Sequence, residues 1–166
     1  MNVLFLCTGN SARSILAEVL LNELGQGRFC ACSAGSRPTG RINPGALEKL
    51  TREGHSTRGL ESKSWDRFAQ PGAQAFDLVV RVCDRAAGES CPVFHGAPAR
   101  AHWGIPDPAF VDAEEARQAA FDLAYARLRR RIEALVTLPP GLAGAALERA
   151  LAEIHVAAAR ADIAGI

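Results

Sequence analysis

Cys7-Thr8-Gly9-Asn10-Ser11-Ala12-Arg13-Ser14 is the stretch of this chain whose residue types and spacing could do chemistry. A thiol, five residues, an arginine and a serine between a strand and a helix make a cradle for a tetrahedral oxyanion. Successive backbone N–H groups of Thr8 through Arg13 turn inward, and the helix N-terminus adds its positive end. Arg13 can hold two oxygens through its planar fork, as a lysine cannot. The same field favours thiolate over thiol, so Cys7 is expected to ionise well below the ordinary ~8.5, in the range of about 3.5–7.5. Ser14 is placed to hydrogen-bond that sulfur, and Gly9 to permit the curl.

The elements that must hold this loop are legible in the hydrophobic pattern. Val3–Leu6 is a short apolar run ending at Cys7, a buried strand entering a tight loop. A helix over 13–24 carries Ile15, Leu16, Val19, Leu20 and Leu24 on one face, with Gly25 closing it. Phe29–Ser33 reads as a second strand. Asn43-Pro44 supplies an N-cap and a first-turn proline for a helix that ends at Gly54. Leu78–Val82 is a third strand, and it again delivers a cysteine, Cys83, at its end. Ala101–Trp103 reads as a last short strand. Asp112 to Glu115 opens a helix as a capping box, with Phe121, Tyr125, Leu128, Ile132 and Leu135 on its stripe. Beyond Pro139-Pro140-Gly141 a helical period resumes over about 145–161. Alternating strands and helices predict an α/β fold, a single-domain open parallel sheet of about four strands with helices on both faces. Residues 1–138 form the catalytic unit in this reading and 139–166 a C-terminal helical extension. Ligands of such sheets bind at the carboxyl ends of the strands, where Cys7 and Cys83 both fall.

Composition narrows the function. The chain has 166 residues and a formal net charge of +1, which suits one core and predicts neither a nucleic-acid nor a membrane partner. The N-terminus lacks a basic segment and a long apolar run, so a cytoplasmic location is expected. Five cysteines in a reducing compartment, odd in number and without zinc spacing, point to catalysis or redox exchange rather than structural disulfides or a metal. Cys30 and Cys32 share a strand face and read as small buried side chains. His55, His95 and His155 read as surface residues.

The opening Val-Leu-Phe-Leu-Cys-Thr-Gly-Asn-Ser-Ala-Arg-Ser resembles the low-molecular-weight tyrosine phosphatase superfamily, and within it most the arsenate reductases that share the fold. The resemblance continues through Ser33-Ala34-Gly35-Ser36, Asn43 to Leu47, Ser62 to Asp66, Val82-Cys83-Asp84, Cys91-Pro92 and Ala101 to Pro108. It implies Cys7 as nucleophile, Asp107 of Asp107-Pro108 as the acid that expels an oxygen, and a relay through Cys83 and Cys91. In that relay Cys83 attacks Cys7, arsenite leaves, and Cys91 moves the disulfide to where an external thiol reductant reaches it. Seven residues separate Cys83 from Cys91, one more than in the thioredoxin-coupled branch. The resemblance therefore leaves the reductant open among thioredoxin, glutaredoxin with glutathione, and mycoredoxin. Water can hydrolyse a phosphocysteine without a second thiol, so a phosphatase is the alternative, and a non-catalytic oxyanion or redox sensor a further one. Asn10, Glu18 and Ser33 match part of a potassium site found in some family members. Lys63-Ser64 stands where its acid is expected, so no bound metal or cofactor is predicted. A monomer is expected.

Overall fold

The computed structural model describes residues 1–84 and 88–165. Four parallel strands form one sheet in the order β2-β1-β3-β4. They are β1 (Asn2–Leu6), β2 (Cys30–Ala34), β3 (Leu78–Arg81) and β4 (Ala99–His102). The helices are α1 (Arg13–Leu24), α2 (Pro44–Arg52), α3 (Glu114–Val136) and α4 (Gly144–Ala164). The strand count and parallel pairing are those expected from the alternating pattern. β4 starts two residues earlier than expected, and Trp103 follows it as a fully buried anchor.

Alternation along the strands sorts their side chains into two clusters. Val3, Phe5, Leu78 and Val80 pack with α1, α2, α3 and α4 in the main core. Leu4, Leu6, Ala34 and Val79 face the other way and pack with Phe76 and Phe94. Helices were expected on both faces. The named helices instead bury their side chains in the one main core, while the second face is covered by a 3₁₀ turn at Trp65–Phe68 and by Phe76 and Phe94, stacked edge to face. Aromatic rings on short loops can cover a four-strand face with few residues.

Caps decide the helix starts. Asn43 accepts from the N–H of Gly45 at 2.9 Å, as its position before Pro44 predicts. Asp112 does not cap α3: Ala113 holds the N-cap position without a side-chain hydrogen bond, and Glu114 and Glu115 occupy the first turn. Two acidic side chains beside the positive helix end supply charge complementarity where the capping hydrogen bond is missing. At the end of α1 the left-handed turn falls on Gln26 and Gly27, while Gly25 stays right-handed; a Cβ there would lie 2.6 Å from the Leu21 carbonyl oxygen and 2.9 Å from Phe29.

The main core crosses the Pro139-Pro140 break. Leu147 and Leu151 of α4 belong to it, and Trp103 Nε1 donates to the Leu151 carbonyl at 3.4 Å. α3 and α4 are also joined through charge. Arg131, 2% exposed, donates to Asp162 at 2.9 Å and to His155 Nδ1 at 3.1 Å, and Arg130 pairs with the same carboxylate. Removing one partner of a buried pair strands the other charge. Asp162→Ala is therefore expected to cost about 3 kcal/mol in urea unfolding, whereas Glu153→Ala on the exposed face of α4 should leave the midpoint unchanged.

Candidate active site

β1 ends at Leu6, and the loop from Cys7 to Ala12 curls before α1 starts at Arg13. The residue that makes the curl is Asn10, at φ +43° and fully buried. Gly9 was expected to supply that freedom; its φ is not left-handed, and a Cβ there would meet only ordinary contacts with Thr39 and Ser11. Asparagine tolerates the left-handed region and can also be tied down. Its amide nitrogen donates to Ser14 Oγ and to Ser33 Oγ, both at 2.9 Å, and its oxygen accepts from the Lys63 N–H at 2.8 Å. The hydrogen bond given to Ser14 is thus this one with Asn10. Gly35 is the close approach that the loop requires: a Cβ there would lie 2.4 Å from the Thr8 carbonyl oxygen and 2.7 Å from that of Cys7.

Arg13 is buried and fixed at both ends of its fork. Nη1 donates to the Ile105 carbonyl at 2.7 Å, and Nη2 pairs with Asp107 Oδ2 at 2.5 Å. Nε is buried without a hydrogen-bond partner among the described residues. Asp107 also caps the 3₁₀ turn Pro108–Phe110, accepting from the Ala109 N–H at 3.1 Å. The Asp-Pro therefore starts a turn and holds the arginine at once. A cavity of about 400 Å³ opens onto these groups, lined by Cys7, Arg13, Asp107 and, unforeseen in the sequence, Arg37, Thr39 and Asn43. Arg37 and Thr39 reach it because their N–H groups bond the Thr8 and Gly9 carbonyls at 2.9 and 3.0 Å. Local pattern gave no sign of that docking.

The second thiol is close. Cys83 lies in the buried turn after β3, and its sulfur is 3.7 Å from Thr8 Oγ1, beside Cys7. The next residue, Asp84, is clasped to the end of β4 by His102 at 3.0 Å. Cys91 is half-buried and packs against the second-face cluster. No disulfide links any of the five cysteines. The Cys7 thiol is the point where geometry overturns expectation: it is held above the ordinary thiol range, not below it. The hydrogen bond with Cys83 contributes most, then burial; Arg13 pulls the other way, and Asp107 offsets part of that pull. Two neighbouring thiols resist carrying two negative charges, so the pair as a whole holds on to one proton.

Behind the loop, Glu18 accepts from Ser33 and lies 3.9 Å from the Lys63 ammonium. Burial nonetheless lifts its carboxyl above the usual range. The position expected for an acid thus holds a cation beside Glu18. His55 was expected on the surface. The residue is half-buried and its side chain is 8% exposed, wedged between Glu23 at 2.6 Å and the Tyr125 hydroxyl at 2.6 Å, where it joins α1 to α3. His95 is exposed and His155 half-buried.

These features, a strand-delivered thiol, an arginine after five residues and an Asp-Pro returning to that arginine, coincide with a family profile. Residues 2–151 match that of the low molecular weight phosphotyrosine protein phosphatases. The chain belongs to this family. Among its relatives is an arsenate reductase of Halalkalibacterium halodurans, 33% identical over 132 residues, covering 79% of this chain and 91% of that protein. Another is an arsenate reductase of Bacillus subtilis, 34% identical over 130 residues, 78% of this chain and 88% of that one. The crystal structure of an arsenate reductase from Archaeoglobus fulgidus superposes with a TM-score of 0.63 at 29% identity, over 82% of this chain and 99% of that one. Among the described residues no helix is long and apolar enough to cross a membrane.

Two outcomes check this geometry. Gly35→Ala drives a methyl into two carbonyls, so a loss of about 2–3 kcal/mol is expected, with phosphate protection of Cys7 against alkylation abolished. Cys83→Ser removes the largest influence holding the Cys7 proton, so the pH profile of Cys7 alkylation should move to lower pH. Asp107→Asn removes a smaller one of the same sign and should move it less.

Proposed function

We propose that this family member reduces arsenate to arsenite, with Cys7 as nucleophile, Arg13 and the Thr8–Ala12 N–H groups as the oxyanion cradle, and Cys83 and Cys91 as resolving thiols. The observation that carries the reading is a second buried thiol at the oxyanion loop, Cys83, whose sulfur lies 3.7 Å from Oγ1 of Thr8, the residue next to Cys7. A phosphocysteine is hydrolysed by water and needs no second thiol, whereas reduction of As(V) needs a second sulfur there. The arsenate reductase relatives, aligned over most of their length, support the same reading.

An entering oxyanion competes with Asp107 for Arg13, whose Nε is a buried donor still to be satisfied. Its negative charge is matched by the guanidinium fork and the loop N–H groups. The Cys7 sulfur attacks arsenic as its proton passes to the Asp107 carboxylate, an As–OH bond breaks, and the hydroxyl leaves as water with that same proton returned by Asp107. Displaced from Arg13, the Asp107 carboxyl stands at the cavity mouth where that oxygen departs. Cys83 then attacks the Cys7 sulfur. The S–As bond breaks with its electron pair going to arsenic, As(III) leaves as arsenous acid, and a Cys7–Cys83 disulfide remains. Cys91 attacks Cys83, which restores the Cys7 thiol and leaves a Cys83–Cys91 disulfide. An external dithiol reductant returns that pair to thiols.

The test is a thiol count by intact mass after mixing the reduced chain with arsenate and no external reductant. The expected result is loss of two protons and release of one arsenite per chain, abolished in Cys7→Ser. In Cys83→Ser no Cys7–Cys83 disulfide should form, and in Cys91→Ser the oxidation should stop at that disulfide. An unchanged mass with turnover of an aryl phosphate would overturn the reading in favour of a phosphatase.

A further inference from the structure

Two thiols have no part in this relay. Cys30 and Cys32 lie on β2, at the edge of the sheet. The register pairs Cys30 with Asn2 and Cys32 with Leu4, so both project from the second face, opposite α1. Cys30 is exposed and Cys32 half-buried, contrary to the expectation of two buried small residues. The Gln74 amide donates to the Cys32 sulfur at 3.7 Å, from the loop that borders this face. The Cys7 loop lies beyond the other end of the strands. Cys32 stands level with Leu4, three residues before Cys7, about 10 Å along the strand axis.

Strand geometry decides what such a pair can do. Two residues along a strand are separated by about 6.6 Å, with their Cβ bonds parallel. A disulfide needs Cβ atoms about 3.8 Å apart, so joining these sulfurs directly would bend the strand. A single atom bonded to both sulfurs spans a wider gap and leaves the strand extended. We propose that Cys30 and Cys32 form a two-thiol site for trivalent arsenic, taken as As(OH)3. The supply of that ligand rests on the arsenate-reductase reading; the geometry of the pair does not.

The binding step is a condensation. Each sulfur forms one S–As bond as one As–OH bond breaks, each thiol proton leaves with that hydroxide as water, and arsenic keeps its third hydroxyl. Two waters are released and no electron moves. The chemistry suits this environment. Burial, the nearby Glu18 carboxylate and Cys30 push the Cys32 thiol up, with Lys63 and the Gln74 amide pulling the other way. A dication such as Zn²⁺ needs thiolates and is disfavoured by that push, whereas As(OH)3 consumes neutral thiols. The pair is accessible from the edge of β2, so the ligand can reach it without passing through the catalytic cavity.

Phenylarsine oxide, which binds tightly only through two sulfurs, is the probe, with sodium arsenite beside it. The full-length Cys7→Ser/Cys83→Ser/Cys91→Ser chain is expected to take up one arsenical, its mass showing two S–As bonds and the loss of water. Adding Cys30→Ser or Cys32→Ser should weaken uptake at least tenfold. Should the triple variant misfold, the parent chain gives the same answer. There the arsenical should protect Cys30 and Cys32 from iodoacetamide, read in the tryptic peptide that begins at Phe29. Binding insensitive to Cys30→Ser, absence of that protection, or Zn²⁺ binding in place of the arsenical would overturn the proposal. Cys30→Ser alone should leave arsenate reduction unchanged. Arsenical binding without arsenate reduction would sink the functional reading and spare the site; reduction without binding at Cys30 and Cys32 would do the reverse.

Discussion

The buried amide of Asn10 holds this active site in shape. One side chain joins the oxyanion loop to the first turn of α1 through Ser14, to β2 through Ser33, and to the Lys63 backbone beyond β2. A residue at positive φ costs free energy unless its surroundings determine it, and three hydrogen bonds at a fully buried position do so. The loop carbonyls then lie so close to Gly35 that no side chain fits there. The nucleophile, the curl and the neighbouring strand therefore form one rigid unit, and a preorganised cradle does not have to be assembled when the oxyanion arrives.

On that unit the electrostatics are arranged as a competition. Arg13 could stabilise a thiolate at Cys7, yet Asp107 claims one end of its fork and the Ile105 carbonyl the other. Cys83 and burial push the Cys7 thiol upward, against the pull of Arg13. The second clasp, His102 on Asp84, ties the start of the segment between Cys83 and Cys91 to the end of β4, so that the position of Cys83 depends on the same sheet that positions Cys7.

The two sheet faces differ in kind. The main core holds the named helices and continues across the Pro139-Pro140 break into α4, where Trp103 and Leu151 meet. The second face is thinner, covered by aromatic rings on loops, and carries the partly exposed thiols of Cys32 and Cys91 at its border. Among the described residues that face is closed by loops, and Cys32 and Cys91 lie at its border.

Much of this was set by local sequence. The apolar run before Cys7, the five-residue spacing to Arg13, the Asn43-Pro44 cap and the alternation of strand and helix depend on neighbours in the chain, and they fix the parallel sheet and the loop at its edge. What local sequence could not carry are choices made by distant partners. Whether Gly9 or Asn10 takes the left-handed turn depends on Ser33 and Lys63, 23 and 53 residues from Asn10. Whether Cys7 ionises depends on Cys83 and Asp107, far along the chain. That Asp112 leaves α3 uncapped, that Arg37 lines the cavity and that the His55 side chain is wedged between α1 and α3 follow likewise from docking of separate elements. Spacing along the chain specifies which groups are available; only tertiary packing decides which of them touch, and protonation and conformation follow those contacts.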